Sequence, residues 1–229
     1  MQIRLKSLAI LFRRVNLWRT VYFNFHYLPL KAALRLPIMV FWRTEFHRLK
    51  GRVVIDAPIK TGMVKLGSHG VGTIDMLYSR TMWDLSGTLV IKGDASIGRG
   101  TKISVGEGAT LTLGEGFMVT GNSEIVCHKE ISFGPDCLLS WDVLVMDTDF
   151  HHILDEKGEI VNSPKPIHIG KHVWIGCRNV ILKGVSIADG CVIAANSTIT
   201  NNIEEPRCII GGQGKDAAIL RRDVDWKES

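Results

Sequence analysis

An isoleucine recurs every six residues along one stretch of the chain, and this spacing restricts the fold more than any other feature. The repeat consists of Ile169, Ile175, Ile181, Ile187, Ile193 and Ile199. An amphipathic α-helix needs apolar spacings of three and four residues, and a half-buried strand needs a spacing of two. A period of six therefore predicts an all-β coil with three short faces per turn. Equivalent residues would recur every eighteen positions and stack as parallel strands about 4.8 Å apart.

A noisier array with the same period precedes this repeat. It runs from Ile91 to Ile103, slips, and resumes at Leu113. Glycines punctuate both arrays and would supply the tight corners between the faces. The pattern predicts that residues 53–210 form one parallel β-helix, with an irregular first coil.

Two segments break the period. Residues 144–168 are polar, contain two prolines and show no repeat. A segment of this length inside a compact repeat domain is more often functional than incidental, so we predict an outward loop that carries the active site. Residues 211–229 follow the last repeat, and we expect a basic tail or a short terminal helix there.

Residues 1–52 carry the whole basic excess of the protein. They hold eleven Lys and Arg residues against one acid, Glu45, which gives +10; the full chain carries +5, so residues 53–229 carry −5. The segment is rich in large apolar residues but lacks the ~20 uncharged apolar residues that a membrane-spanning helix needs. Two interpretations stay open: amphipathic helices packed on the repeat domain or a neighbouring subunit, or cationic helices lying on anionic lipid. Nucleic acid is not an expected partner, because no binding motif accompanies the charge.

The cysteines and the N-terminal pattern indicate the compartment. The five cysteines are odd in number and form no CxxC pair, which is typical of buried, reduced thiols. Arg13 and Arg14 interrupt any apolar core of a cleaved signal peptide. We therefore expect a cytoplasmic protein, with peripheral contact at the inner face of the membrane as the further expectation for residues 1–52.

The stretch GKHVWIGCRNVILKGVSIADGCVIAANSTIT strongly resembles the hallmark sequence of the hexapeptide-repeat acyltransferases, the family of the galactoside and maltose O-acetyltransferases. Within this family the resemblance is closest to sugar acyltransferases of bacterial surface-polysaccharide pathways, and it covers residues 89–222. The resemblance implies a left-handed parallel β-helix that forms a homotrimer. It also implies acetyl-CoA as the acyl donor and active sites between adjacent subunits.

The resemblance also assigns a catalytic base within the segment DTDFHHI. By the family match the general base is His151, and His152 stands where the family usually has proline. A neutral histidine base needs a partner that orients its ring. Asp149 lies two residues before His151, so in an extended segment both would face the same side, and Asp147 would share that face. Either aspartate could instead bind acceptor hydroxyls or belong to a solvated acidic loop.

Two residues of earlier coils are candidates for binding the acceptor. Asn122 resembles the position from which family members supply an acceptor-binding amide. Trp141 could form an apolar wall for a sugar ring. Each could equally be a plain corner residue of the coil, Asn122 in the left-handed region.

The resemblance places the CoA groove along the C-terminal coils. Cys177, Ala195 and Thr200 match positions that line it, and Cys177 and Ala195 are eighteen residues apart, which puts them one coil apart on the same edge. The family's final motif is altered here to GGQGKDAAILRR. We assign the phosphate contact to Lys215, with Arg221 assisting. No metal is expected in this chemistry.

These observations predict an acetyl-CoA-dependent O-acetyltransferase that acts on a sugar hydroxyl in bacterial surface-polysaccharide biosynthesis. One alternative is N-acetylation of a nucleotide- or lipid-linked amino sugar with the same base. Another is a β-helix scaffold or binding protein without catalysis. The histidine pair in a long polar loop favours the enzyme.

Overall fold

The computed structural model describes residues 14–227, which form three sheets of mostly parallel strands around one core. Residues 1–13 of the predicted amphipathic segment and residues 228–229 of the predicted tail lie outside the described residues. Sheet A contains β1 (Ile38–Val40), β4 (Val64–Leu66), β7 (Ala95–Ile97), β10 (Phe117–Gly121), β13 (Leu138–Trp141), β16 (Trp174–Ile175), β19 (Val192–Ile193), β21 (Ile209–Gly211) and β23 (Ala218–Arg221). Sheet B contains β2 (Thr44–Leu49), β5 (Thr81–Leu85), β8 (Lys102–Val105), β11 (Glu124–Cys127), β14 (Leu144–Met146), β17 (Val180–Leu182), β20 (Thr198–Ile199) and β22 (Gln213–Gly214). Sheet C contains β3 (Arg52–Ile55), β6 (Thr88–Ile91), β9 (Thr110–Leu113), β12 (Glu130–Phe133), β15 (Ile167–Ile169) and β18 (Ser186–Ile187).

The chain visits sheets A, B and C in turn, so each circuit is one coil of a β-helix with an A–B, a B–C and a C–A corner. Strands of successive coils pair in parallel, as β13 does with β16 and β14 with β17. Each of the six periodic isoleucines is buried in the core. Their spacing therefore reports one inward side chain per face, as the sequence predicts.

The β-helix begins earlier than the predicted boundary at residue 53. Strands β1 and β2 pair in parallel with β4 and β5, and so complete a first coil from Ile38 onwards. The period of six is absent there because the register between β2 and β5 shifts between Phe46 and Arg48. This shift changes the spacing of inward side chains, so the sequence pattern did not reveal the coil.

Two helices, α1 (Leu17–Tyr27) and α2 (Leu30–Ala33), precede this coil. Phe23 of α1 is fully buried, with its ring 5.0 Å from that of Trp83. The Asn24 amide donates to the carbonyl of Ile38 (2.7 Å) and accepts from its N–H (3.1 Å), so α1 satisfies part of the open edge of sheet A. For these residues the predicted helix packed on the repeat domain is confirmed.

The C-terminal end of the β-helix is closed by a strand. Strand β23 turns back and pairs antiparallel with β21, so that Ala218 lies opposite Gly211. The expectation of a short terminal helix within residues 211–227 is therefore wrong. The antiparallel strand covers the last edge of sheet A, which would otherwise present unpaired backbone groups.

Candidate active site

The predicted outward loop leaves the β-helix at the B–C corner. It links β14 to β15 over residues 147–166, whereas residues 128–129 suffice to link β11 to β12 at the same corner of the preceding coil. Its tip is a small hairpin in which the N–H of Val161 donates to the carbonyl of Ile153 (2.9 Å). The loop is thus an ordered projection from the scaffold.

His151 lies in this loop with an exposed side chain. Its N–H donates to the carbonyl of Asp149 (2.7 Å), and its carbonyl accepts from the Asn162 amide (2.8 Å). The preceding Phe150 has a φ of 60°, and its ring meets the His128 ring edge-on at 4.9 Å. Within residues 14–227 the His151 imidazole has no hydrogen-bond partner. The backbone is therefore held on both sides while the ring nitrogens stay open to a substrate.

Asp149 forms a clamp with two residues that the sequence did not single out. Its carboxylate accepts from the Asn162 amide (2.8 Å) and forms an ion pair with Lys183. The Lys183 ammonium also donates to the Asn162 carbonyl (2.6 Å). The hydrogen bond from Lys183, followed by that from Asn162, lowers the pKa of the Asp149 carboxyl below its usual range.

This clamp corrects the expected role of Asp149 as the partner of the His151 ring. The prediction assumed an extended segment, but the left-handed conformation of Phe150 breaks the alternation of faces between the two residues. The carboxylate points to Lys183 instead. A register argument could have suggested Lys183, because Met146 pairs with Leu182, which aligns Lys183 with the start of the loop.

Asp147 belongs to the scaffold beneath the loop. Its side chain is fully buried. Its carboxylate accepts three backbone N–H groups of the preceding coil, from His128 (2.6 Å), Lys129 (2.8 Å) and Glu130 (2.8 Å). Both oxygens are thereby occupied, which corrects the expectation that Asp147 shares a face with His151 or binds an acceptor hydroxyl.

A groove runs along the A–B corner and brings together four of the predicted residues. Its volume is about 600 Å³. Its lining includes the predicted Asn122, Trp141, Cys177 and Ala195, together with residues that the sequence did not single out: Thr73, Asp142, Arg178 and Asn196. The eighteen-residue period could have found Arg178 and Asn196, since they follow Cys177 and Ala195 at the same corner.

The groove is shaped by corner residues in the left-handed region. Asn122 has a φ of 48° and Asn196 a φ of 59°. The N–H of Asn196 donates to the carbonyl of Cys177 (2.9 Å), which confirms that the two corners are one coil apart on the same edge. Asn122 is thus a corner residue, and the same corner conformation places it in the groove lining.

The groove and His151 lie at different corners of the same chain. Strands β11, β14 and β17 of sheet B lie between the A–B corner and the B–C corner. No residue of the 147–166 loop lines the groove among the described residues. Within one chain, the groove and the loop that carries His151 are therefore separate features.

The remaining predicted CoA contacts are dispersed within one chain. Thr200 is exposed at the B–C corner after β20, beside Gly214, which places the exposed Lys215 in the same neighbourhood. Arg221 is exposed at the end of β23, opposite Ile209. The single chain brings Cys177 and Ala195 together, but not these three residues with them.

All five cysteines are free, and four of them are buried; Cys177 is half-buried. Burial raises the pKa of the Cys127 and Cys137 thiols to about 12.

Residues 14–227 contain no group of three or more His, Cys, Asp or Glu side chains that could hold a metal ion. In the same part of the chain, no helix has the length and apolar character needed to cross a membrane.

The three-sided coil, the period of six and the outward loop define the class of hexapeptide-repeat β-helices. Residues 166–201 match the sequence model of the bacterial transferase hexapeptide family (six repeats). The predicted fold, a left-handed parallel β-helix with an N-terminal helical segment, and the predicted family resemblance are both confirmed.

Named relatives match parts of the chain. The polysialic acid O-acetyltransferase of Neisseria meningitidis is 43% identical over 67 residues, which cover 28% of this chain and 31% of that protein. The galactoside O-acetyltransferase of Escherichia coli (strain K12) is 36% identical over 98 residues, which cover 42% of this chain and 47% of that protein. The chain thus spans less than half the length of either relative. The crystal structure of the polySia-specific acetyltransferase NeuO gives a TM-score of 0.51 at 24% identity, covering 81% of this chain and 72% of that one, which is a likeness of fold.

Proposed function

We propose that this protein is an acetyl-CoA-dependent O-acetyltransferase that acts on a sugar hydroxyl in bacterial surface-polysaccharide biosynthesis, with His151 as the general base. The observation that carries the proposal is the state of His151. Its backbone is fixed by two hydrogen bonds, to Asp149 and from Asn162, while its imidazole is exposed and unengaged within residues 14–227. A base must be held in place and must also be open to the proton that it abstracts.

The relatives support the reaction class. Two proteins with matching segments are named as O-acetyltransferases, one of polysialic acid and one of galactosides. Both names describe acetyl transfer to an oxygen atom of a sugar compound. We therefore favour O-acetylation over the alternative of N-acetylation, and either over a scaffold without catalysis.

We propose further that the active site forms between subunits of a homotrimer. The supporting observation is the separation of His151 from the groove that contains Asn122, Trp141, Cys177 and Ala195. If chains pack side by side, the B–C corner of one subunit can face the A–B corner of the next. The base would then approach an acyl donor that lies in the neighbouring groove.

The proposed chemistry is direct transfer through a ternary complex. His151 takes the proton of the acceptor hydroxyl as its oxygen bonds to the thioester carbonyl carbon. The carbon–sulfur bond then breaks, and the CoA thiolate leaves and receives the proton from His151. A backbone N–H at a coil corner would stabilise the oxyanion, which typically contributes about 3–4 kcal/mol. The raised pKa values of Cys127 and Cys137 disfavour a thiolate nucleophile at these two sites.

The decisive variant is His151→Ala, compared with His152→Ala as a matched control. Removal of a general base should lower kcat about 10²–10⁴-fold. The control changes the adjacent exposed histidine and should retain activity. The measurement is the release of free thiol from acetyl-CoA in the presence of a panel of hydroxyl and amino sugars. Near-normal turnover by His151→Ala would refute the assignment of the base, and transfer only to amino sugars would favour N-acetylation.

We also propose the cytoplasmic location with peripheral contact at the inner face of the membrane. The support is the charge distribution, because residues 1–52 carry +10 and residues 53–229 carry −5. A cationic segment is attracted to the anionic inner leaflet.

A further inference from the structure

Helix α1 has an aromatic face on each side. Its inward face contributes Phe23, which is fully buried against the first coils. Its outward face presents Trp18, Tyr22 and Phe25, at spacings of four and three residues, with 78%, 46% and 45% of each residue exposed. Side chains at these spacings lie on one face of a helix. The inward face accounts for packing on the repeat domain. On the outward face, Tyr22 stacks on His26 of the same helix (5.8 Å).

The helix that follows extends the apolar character of this end. Leu30 and Leu34, at and just after α2, are both about two-thirds exposed. Lys31 and Arg35 alternate with them, and both are exposed. The segment 14–44 contains no Asp or Glu at all. Exposed apolar side chains are therefore interleaved with cations, and Arg19 of α1 is paired with Glu45 just beyond this segment (3.1 Å).

Two further arginines add to the charge of this end. The N–H of Trp42 donates to the carbonyl of Arg14 (3.1 Å), which brings Arg14 beside Arg43. Neither arginine has a carboxylate within ion-pair distance among residues 14–227. Burial lowers the pKa of nearby Arg99, and the charges of Arg43 and Arg14 lower it further. Cations gathered in this way create a positive field at one end of the β-helix.

We infer that the outward face of α1, together with Leu30, Leu34 and the flanking cations, is a docking surface for an anionic lipid bilayer. Tryptophan, tyrosine and phenylalanine on one face with cations beside them match the composition of helices that lie in the lipid headgroup region. A second copy of the same surface is a poorer partner, because two cation-rich faces repel each other.

The position of α1 adds a geometric argument. The helix packs on the first coils, at one end of the β-helix, rather than along one of its three faces. In the proposed trimer, parallel chains would present three copies of this surface in one plane. Several weak membrane contacts in one plane combine into stronger binding. The inference rests on the proposed location and not on the proposed chemistry.

The test is co-sedimentation of the full chain with sucrose-loaded vesicles. One set contains phosphatidylcholine with phosphatidylglycerol, and the other contains phosphatidylcholine alone. We expect binding to the first set only, and weaker binding at higher salt because exposed charges are screened. The triple variant Trp18→Ala/Tyr22→Ala/Phe25→Ala should bind the vesicles at least about tenfold more weakly than the parent protein, since it removes the apolar contact area. Helix propensity is retained because alanine is the best helix former.

A matched control removes exposed apolar side chains elsewhere. Leu77 and Tyr78 are 57% and 75% exposed at the A–B corner, and the variant Leu77→Ala/Tyr78→Ala should bind as the parent does. Equal vesicle binding by the triple variant and the parent, or no binding by the parent, overturns the inference. So does a loss of trimer mass in light scattering for the triple variant, since the face would then be a subunit contact. Thiol release with a soluble acceptor should be unchanged in the triple variant, which separates this test from that of the chemistry.

Discussion

The B–C corner and the A–B corner carry the two halves of the proposed site, and they are built in different ways. At the B–C corner, charged side chains hold the loop: Asp147 binds three backbone N–H groups, and Asp149 pairs with Lys183. At the A–B corner the groove is lined largely by small side chains and by corner residues in the left-handed region, such as Asn122. The loop that carries His151 is thus fixed by polar contacts between coils, whereas the shape of the groove follows from the backbone of the repeat.

The largest expected effect among the scaffold residues is that of Asp147→Ala. It leaves three backbone N–H groups without their acceptor, and bonds to a charged group contribute the most. We expect a loss of about 3 kcal/mol in the free energy of unfolding, measured by urea denaturation. Asp155→Ala is the control, because Asp155 accepts the N–H groups of Lys157 and Glu159 in the exposed hairpin and should cost less than about 1 kcal/mol. Equal losses would mean that the buried carboxylate does not brace the corner.

The second effect concerns the clamp. Lys183→Met removes the ion pair with Asp149 and the bond to the Asn162 carbonyl but keeps a side chain of similar length. We expect faster hydrogen exchange over residues 147–166 and a kcat about tenfold lower, because a misplaced base, here His151, transfers the proton more slowly. The KM for acetyl-CoA should change little, and Lys183→Arg should restore part of kcat. Unchanged exchange in Lys183→Met would argue against the clamp.

The third effect lies at the other corner. Ala195→Leu adds bulk to the groove lining. We expect the KM for acetyl-CoA to rise about fivefold with kcat nearly unchanged, because the added bulk weakens binding in the ground state and in the transition state equally. Ala218→Leu, an exposed position on β23 outside the groove, is the matched control. A fall in kcat without a change in KM would place Ala195 nearer the reacting atoms than the groove suggests.

The smallest effect is a dependence of the loop on acidic pH. The pKa of Asp149 is lowered in the folded protein, so its stabilising contribution is present above the ordinary aspartate pKa of about 3.9 and is lost as the pH falls through the lowered value. The carboxylate is partly exposed, so solvent screening keeps the contribution small. Hydrogen exchange of residues 147–166, corrected for intrinsic rates, should rise as the pH falls below about 4 in the parent protein. The variant Lys183→Met should lack this rise in hydrogen exchange at acidic pH. A rise that persists in the variant would mean that a group other than Asp149 causes it.

Sequence periodicity predicted well wherever the coils are regular. The six isoleucines from Ile169 to Ile199 gave the strand positions, and the interruption at 144–168 located the loop with His151. The first coil was not predicted because the irregular pairing of β2 with β5 changes the spacing of the inward side chains. Lys183, the partner of Asp149, was not predicted. The left-handed conformation of Phe150 breaks the alternation of side chains that an extended segment implies.

The sequence by itself determined the period and the position of its interruption, because both depend on spacing along the chain, and the family resemblance supplied the candidate base. Only the tertiary structure decided which corner each residue occupies, since that depends on the stacking of whole coils. Lys183 meets Asp149 from 34 residues away, and Asp147 reaches back to the N–H of His128 in the preceding coil. For the same reason the sequence left open whether the N-terminal segment packs inward or faces lipid. The folded helix α1 has an inward face for the core and an outward aromatic face for which we propose the membrane.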